Sequence, residues 1–212
     1  MNSSKCIYCN EREANERDHV PPKSLFPKPA PSNLITVPAC SLCNRGFSKD
    51  EEYFRTIVSG LAQTDRHPAS QQLRKDKILK GLERRPKLAS KIMSTVVPVN
   101  LTYKGQLVAT VAAFDIDNPS FDNIIVKIIK GLLFHETGLT IHSPYVVNWN
   151  VIHKPLEVPP ALYERILNEP AHSFGNQVFE YQSYILPGTI ASFWLLRFYG
   201  GANFHGAVYD PS

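Results

Sequence analysis

The chain has 212 residues, of which 43% are hydrophobic and 20% are charged, and its formal net charge is +4. This composition is that of a folded globular protein and excludes a disordered or fibrous one, and the length allows one large domain or a small and a medium one. The mild positive charge suits a polyanionic partner, but it is too common among proteins to identify one.

The first ten residues combine polar residues with Cys6 and Cys9, where a secretory signal would need an apolar stretch. The longest apolar stretches, residues 124–134 and 193–198, are shorter than the ~20 residues that span a bilayer. We therefore expect a cytoplasmic protein with no membrane anchor. Because thiols stay reduced in the cytosol, four cysteines favour metal binding over disulfides there.

The N-terminal fifty residues contain two cysteine pairs, Cys6-x-x-Cys9 and Cys40-x-x-Cys43, separated by 30 residues. Four thiolates at these spacings can hold Zn²⁺ tetrahedrally, at about 2.3 Å from the metal. Such a site leaves no ligand position open, so the zinc is predicted to be structural. Its binding energy would replace the hydrophobic core that so short a segment cannot build. Two disulfides are the alternative.

A helix is predicted to leave this segment, because apolar residues recur at helical spacing from Tyr53 to Leu61. The next stretch, residues 65–91, is basic, with nine Lys or Arg against three acids, a local balance of +6. This stretch is either a face that follows the phosphates of a nucleic acid or an ordinary solvated helical surface.

The remaining residues predict a mixed α+β arrangement. Residues 96–103 and 106–116 form a hairpin around Lys104-Gly105, and a long helix runs from Asn118-Pro119 to Gly138. Strands are predicted at residues 145–152, 177–186, 190–199 and 203–209, with a short helix at 162–167.

A second pattern lies inside the cysteine frame: Asp18-His19, then Asn33 fourteen residues after His19, then Asn44 eleven residues later. Residues 6–54 resemble the HNH endonucleases, whose ββα-metal motif runs Asp/Glu-His, Asn, then Asn or His at the start of a helix, often within a zinc-binding CxxC pair. One departure is Phe47, because many relatives have a lysine three residues after the last asparagine.

The resemblance implies a metal-dependent endonuclease that hydrolyses phosphodiester bonds in DNA, with RNA not excluded. It makes His19 the general base, Asn33 the residue that braces the hairpin and orients His19, and Asp18 and Asn44 the ligands of a catalytic Mg²⁺ or Mn²⁺. A reference pKa near 6.5 leaves the imidazole largely neutral at physiological pH, and oxygen ligands suit these hard cations. Further candidates are phosphate contacts at Lys23, Arg45 and Lys49, and additional metal ligands at Asp50 and Glu51.

The expected fold class is α+β, with three parts along the chain. Residues 1–62 form a small zinc-stapled HNH module, residues 63–95 a basic helical connector, and residues 96–212 an α+β domain of unknown role with a mainly antiparallel sheet. This last domain could mediate a homodimer or bind a partner protein. The alternative function is a non-catalytic zinc-ribbon module that binds nucleic acid or a protein, in which the Asp-His and Asn residues are only structural.

Overall fold

The computed structural model describes residues 5–114, 119–151 and 160–212. It begins with an antiparallel hairpin of β1 (Glu16–Val20) and β2 (Ile35–Ala39), whose long connection contains a 3₁₀ turn, Lys23–Leu25. Two helices follow directly, α1 (Ser41–Gly46) and α2 (Ser48–Gly60). The described part of the chain thus begins with two strands that are followed by two helices.

The basic segment is a series of short helical pieces. After a 3₁₀ turn (Ala62–Thr64) come α3 (Pro68–Leu73), a π-helical turn (Arg74–Ile78), α4 (Leu79–Arg84) and α5 (Pro86–Met93). Pro68 and Pro86 each stand at the first position of a helix, where the N–H that proline lacks would have no helical partner. These pieces make the basic segment that follows α2 mainly helical.

A second hairpin and the longest helix come next, as predicted. Strands β3 (Val96–Tyr103) and β4 (Gln106–Phe114) turn at Lys104-Gly105, both at positive φ. Helix α6 (Pro119–Thr137) ends at Gly138, which has φ +73° and donates its N–H to the carbonyl of Phe134 at 2.8 Å. The predicted cap Asn118 and the predicted end of the hairpin, residues 115–116, lie outside the described residues.

The last part is a five-stranded antiparallel sheet with the order β5-β9-β8-β7-β6. Its strands are β5 (Val146–Val151), β6 (His172–Phe174), β7 (Phe179–Ile185), β8 (Ser192–Phe198) and β9 (Ala202–Tyr209), and α7 (Pro160–Leu167) precedes β6. The α+β class with a mainly antiparallel sheet is therefore confirmed. Strand β6 was not predicted, because three residues are too few to show an alternating pattern.

The central strand β8 is buried on both faces of the sheet. Phe193 and Leu195 pack against Ile166 of α7, whereas Trp194 and Leu196 belong to the main hydrophobic core. That core also contains the apolar face of α6 together with residues of the first hairpin and of α2. The N-terminal segment, for which a zinc site is predicted, therefore shares one hydrophobic core with the C-terminal sheet.

Helix α6 is the element that joins these parts, since it contacts α2, β1, β2 and β5. Seven of its apolar residues are fully buried, as the predicted helical face requires: Phe121, Ile124, Ile125, Ile128, Ile129, Leu132 and Leu133. Among the described residues, no helix has the length and hydropathy that a membrane span needs.

The close approach of α6 to β1 depends on Gly131. A Cβ atom added at Gly131 would lie 2.4 Å from one methyl carbon of Val20 and 2.9 Å from the other, and Val20 is itself fully buried. The absence of a side chain at Gly131 therefore sets the distance between the helix and the strand that carries Asp18 and His19.

We predict that Gly131→Ala lowers the free energy of unfolding by about 1–3 kcal/mol, because the added methyl overpacks a closed contact. The matched control is Gly81→Ala in α4, where a Cβ would meet nothing within 4 Å. That variant should be neutral or more stable by up to about 1 kcal/mol, as helix propensity dictates. Urea denaturation of both variants checks this, and equal stabilities would contradict the packing assigned to Gly131.

Candidate functional site

The two cysteine pairs converge on one position. The Sγ atoms of Cys6, Cys9, Cys40 and Cys43 all lie within 4.8 Å of one another, and all four are free thiols. In a tetrahedral site with sulfur about 2.3 Å from zinc, neighbouring sulfurs are about 3.8 Å apart, so only small adjustments separate this arrangement from a ligand set. The cluster can hold a metal ion such as zinc, as the spacing predicts.

Backbone hydrogen bonds shape both cysteine turns. Asn10 lies at φ +55° and donates its N–H to the carbonyl of Cys6 at 2.9 Å, which closes the first turn. In the second turn, the N–H of Cys43 donates to the Sγ of Cys40 at 3.4 Å, at the start of α1. An N–H directed at sulfur stabilises the thiolate, which is the form that binds metal.

The electrostatics of the cluster favour thiolates on two of its members. The N–H of Cys43 lowers the pKa of Cys40 to about 6, and the backbone N–H groups of Arg12 and Glu11 lower the pKa of Cys9. Burial has the opposite effect on Cys43, whose pKa is raised. A bound cation would offset this burial cost, because it favours the deprotonated form of every ligand.

We predict that Cys40→Ser removes bound zinc and lowers the melting temperature by roughly 10 °C or more, because structural zinc contributes several kcal/mol to folding. The matched control is Leu42→Ser, since Leu42 lies between the two cysteines and is 63% exposed. Zinc content by plasma mass spectrometry and thermal unfolding check both variants. A Cys40→Ser protein that keeps its zinc and its stability would contradict a structural metal site.

The hairpin places Asp18 and His19 on opposite faces of β1. Asp18 pairs with Val37 and His19 pairs with Thr36 in the antiparallel register. Asp18 is only 5% exposed and points toward the helices, whereas His19 is half-buried. The two residues of the Asp-His pair therefore meet different surroundings.

Asp18 belongs to a buried ion-pair network. Its Oδ2 accepts a hydrogen bond from the hydroxyl of Tyr8 at 2.8 Å and lies 2.8 Å from the Nζ of Lys127. Lys127, whose side chain has no exposed surface, also donates to Glu51 at 2.5 Å. Its ammonium lies 5.0 Å from the centre of the Phe47 ring. Strand β1, α2 and α6 are thus joined at one cation.

This arrangement does not fit a divalent cation bound by Asp18. The carboxylate oxygen that faces the helices already has two donors, and one of them is a buried ammonium, which would repel a second cation at the same place. Among the described residues, the cysteine cluster is the one group of three or more Cys, His, Asp or Glu side chains close enough to share a metal. The predicted catalytic Mg²⁺ or Mn²⁺ finds no support here.

The two predicted asparagines have other surroundings. The Nδ2 of Asn44 donates to Glu16 at 2.8 Å, so its amide is held by a carboxylate of β1. Asn33 is exposed, two residues before β2, and in the described part of the chain its side chain forms no hydrogen bond with His19. Their roles in metal binding and in bracing stay predictions.

His19 is placed where a neutral imidazole is favoured. Partial burial lowers its pKa below the ordinary 6.5, and the nearby ammonium groups of Lys23 and Lys127 lower it further against the opposing effect of Asp18. A histidine with this pKa is in its base form at neutral pH. It can accept a proton from a water molecule on the exposed side of the hairpin.

The predicted phosphate contacts are all on the surface. Lys23 lies in the 3₁₀ turn after β1 and influences His19 electrostatically, which places it near the imidazole. Arg45 is highly exposed and forms an ion pair with Glu16 at 3.1 Å, while Lys49 is exposed in the first turn of α2. Of the three, Lys23 has the clearest link to His19.

Sequence reasoning missed Lys127 and Tyr8 and considered Glu51 only as a possible metal ligand. A signal for Lys127 was present, because it stands between Ile124 and Ile128 within the most apolar helix of the chain. A lysine in such a position must find a buried partner, since an unpaired charge in a core is costly. Which carboxylates it meets depends on tertiary packing that no local pattern reveals.

Comparisons with protein-family models, with curated protein sequences and with solved structures found no match. The likeness to the HNH endonucleases therefore rests on the order and spacing of Asp18, His19, Asn33 and Asn44 within the cysteine frame.

We predict that the imidazole of His19 titrates below pH 6.5 and that Lys23→Gln raises this pKa, since removing a nearby positive charge favours the imidazolium. Titration by nuclear magnetic resonance of the ring protons measures both values directly. Lys104→Gln, which removes an exposed charge at the tip of the second hairpin, is the control and should change nothing. A wild-type value above 6.5 would contradict the placement of His19.

Proposed function

We propose that this chain is an endonuclease of the HNH type that hydrolyses phosphodiester bonds in DNA, with His19 as its general base. The observation that carries the proposal is the position of His19: half-buried on a β-hairpin that a helical limb follows, with a lowered pKa and a lysine nearby. A base at neutral pH next to a cationic side chain suits attack on a phosphate.

In the proposed reaction, His19 takes a proton from water as the water oxygen bonds to phosphorus and the bond to the 3′ oxygen breaks. The leaving 3′ oxygen takes a proton from solvent water, and the imidazolium later releases its proton to solvent. Negative charge on the phosphate grows during this step and needs positive groups nearby. Lys23 is the side chain best placed to supply one, and Arg45 and Lys49 are secondary candidates on the helical limb. No step is assigned to a divalent cation, because Asp18 is engaged by Lys127.

We further propose that Zn²⁺ occupies the cysteine cluster and that the protein works in the cytoplasm, where thiols remain reduced. The zinc would fix the start of β1 and of α1, since Cys9 precedes the hairpin and Cys40 caps the helix. Its role is to hold the hairpin in shape.

DNA is the proposed partner, with RNA as the alternative polyanion. The basic helices after α2 present an exposed set of cationic side chains that can follow a phosphate backbone: Arg66, Lys75, Lys80, Arg84 and Lys87. Other members of the same basic segment have local partners, such as Arg74 with Asp65 at 2.5 Å. A homodimer or protein partner through residues 96–212 stays a prediction.

A second candidate function is a non-catalytic module that binds nucleic acid through the same surface. It is favoured by the ion pair of Asp18 with Lys127, which gives Asp18 a structural role. The two functions differ in one respect that can be measured, because only the endonuclease requires His19 for a chemical step.

We predict that purified protein nicks supercoiled plasmid and that His19→Ala lowers the rate by at least about 100-fold, the usual contribution of a general base. The control is His135→Ala, an exposed histidine at the end of α6. Each protein is assayed in metal-free buffer, with Mg²⁺ and with Mn²⁺. Cleavage by His19→Ala at the wild-type rate would refute this base, and DNA binding without any cleavage would establish the binding module.

A further inference from the structure

We propose that the ammonium of Lys127 is the resident cation of the site formed by Asp18 and Glu51, so that the site binds no divalent metal in the intact protein. The cation bound by these two carboxylates is the same whether or not the chain cleaves DNA.

The geometry gives the ammonium the contacts that a small cation would have. Its nitrogen lies 2.8 Å from an oxygen of Asp18 and 2.5 Å from an oxygen of Glu51. The ring of Phe47 lies beside it at 5.0 Å, so an aromatic face also meets the positive charge. Two carboxylates and one ring satisfy a group that offers three N–H donors.

Burial keeps this cation in place. The side chain of Lys127 has no exposed surface, and those of Asp18 and Glu51 are 7% and 19% exposed. If a divalent ion entered, the ammonium would have to remain beside it or move into the apolar core, and either outcome is costly. The lysine also extends from a helix held by seven buried apolar residues, so a side chain that turned away from the carboxylates would meet apolar surroundings.

Two aromatic side chains close the site around the ammonium. The ring centre of Phe47 lies 5.0 Å from the nitrogen that α6 supplies. Tyr8 packs edge-on against Phe47 at 5.2 Å and donates to Asp18, so the aromatic pair also closes the site on the side of the cysteine turn.

In the first test, wild-type protein supplied with zinc is titrated with Mn²⁺. Binding is measured by calorimetry and by the electron paramagnetic resonance signal of free Mn²⁺. Mn²⁺ prefers oxygen ligands, so it will not compete for the four thiolates. Wild-type protein should show no saturable binding, and Asp18→Asn should behave identically. Saturable binding of one Mn²⁺ that is lost in Asp18→Asn would overturn the proposal.

The second test removes the resident cation. Lys127→Gln should bind Mn²⁺ at least about 100-fold more tightly than wild type, because one buried positive charge no longer opposes the metal. Its melting temperature should rise with added Mn²⁺, whereas that of wild type should not. The matched control is Lys130→Gln, which removes a charge from the same helix and should leave Mn²⁺ binding as weak as in wild type.

A folded Lys127→Gln protein with no gain in Mn²⁺ affinity would also overturn the proposal. If this variant folds neither with nor without Mn²⁺, the comparison of wild type with Asp18→Asn decides. Plasmid nicking separates this inference from the proposed function: cleavage that needs Mn²⁺ at Asp18 refutes the resident cation, while an absence of cleavage affects only the endonuclease.

Discussion

The buried ammonium of Lys127 is the interaction on which the arrangement of the first hairpin depends. It joins Asp18 of β1 to Glu51 of α2, and losing one partner of such a pair typically costs about 3–5 kcal/mol. One helical turn further along α6, Gly131 leaves the space that Val20 fills. The same face of α6 therefore positions β1 in two ways, by the charge of Lys127 and by the absence of a side chain at Gly131.

The position of His19 follows from this anchoring. Side chains alternate along a strand, so fixing Asp18 and Val20 against the helices turns His19 toward the other face of the hairpin. There it is half-buried and close to Lys23, and both conditions keep its imidazole neutral. The cysteine cluster restrains the same hairpin from its other end. The chemistry proposed for His19 thus depends on residues far from it in sequence, above all Lys127.

Local patterns predicted much of this molecule, and packing supplied the rest. The CxxC spacing predicted that the four thiols lie close together, and the periodicity of residues 121–133 predicted the apolar face of α6. The spacing of Asp18 and Asn44 could not show that each would be held by a different charged or polar neighbour. Tertiary packing brings these neighbours, Lys127 and Glu16, into contact with Asp18 and Asn44. A short sequence motif contains no information about that packing.

The most direct measurement is a crystal structure of the zinc-supplied protein grown with Mn²⁺, with anomalous diffraction recorded above the manganese and the zinc absorption edges. We expect a zinc peak at the four cysteines, no manganese peak beside Asp18, and the nitrogen of Lys127 within hydrogen-bond distance of Asp18 and Glu51. A manganese peak between Asp18 and Asn44, with Lys127 turned away, would contradict the account and restore a metal-dependent site.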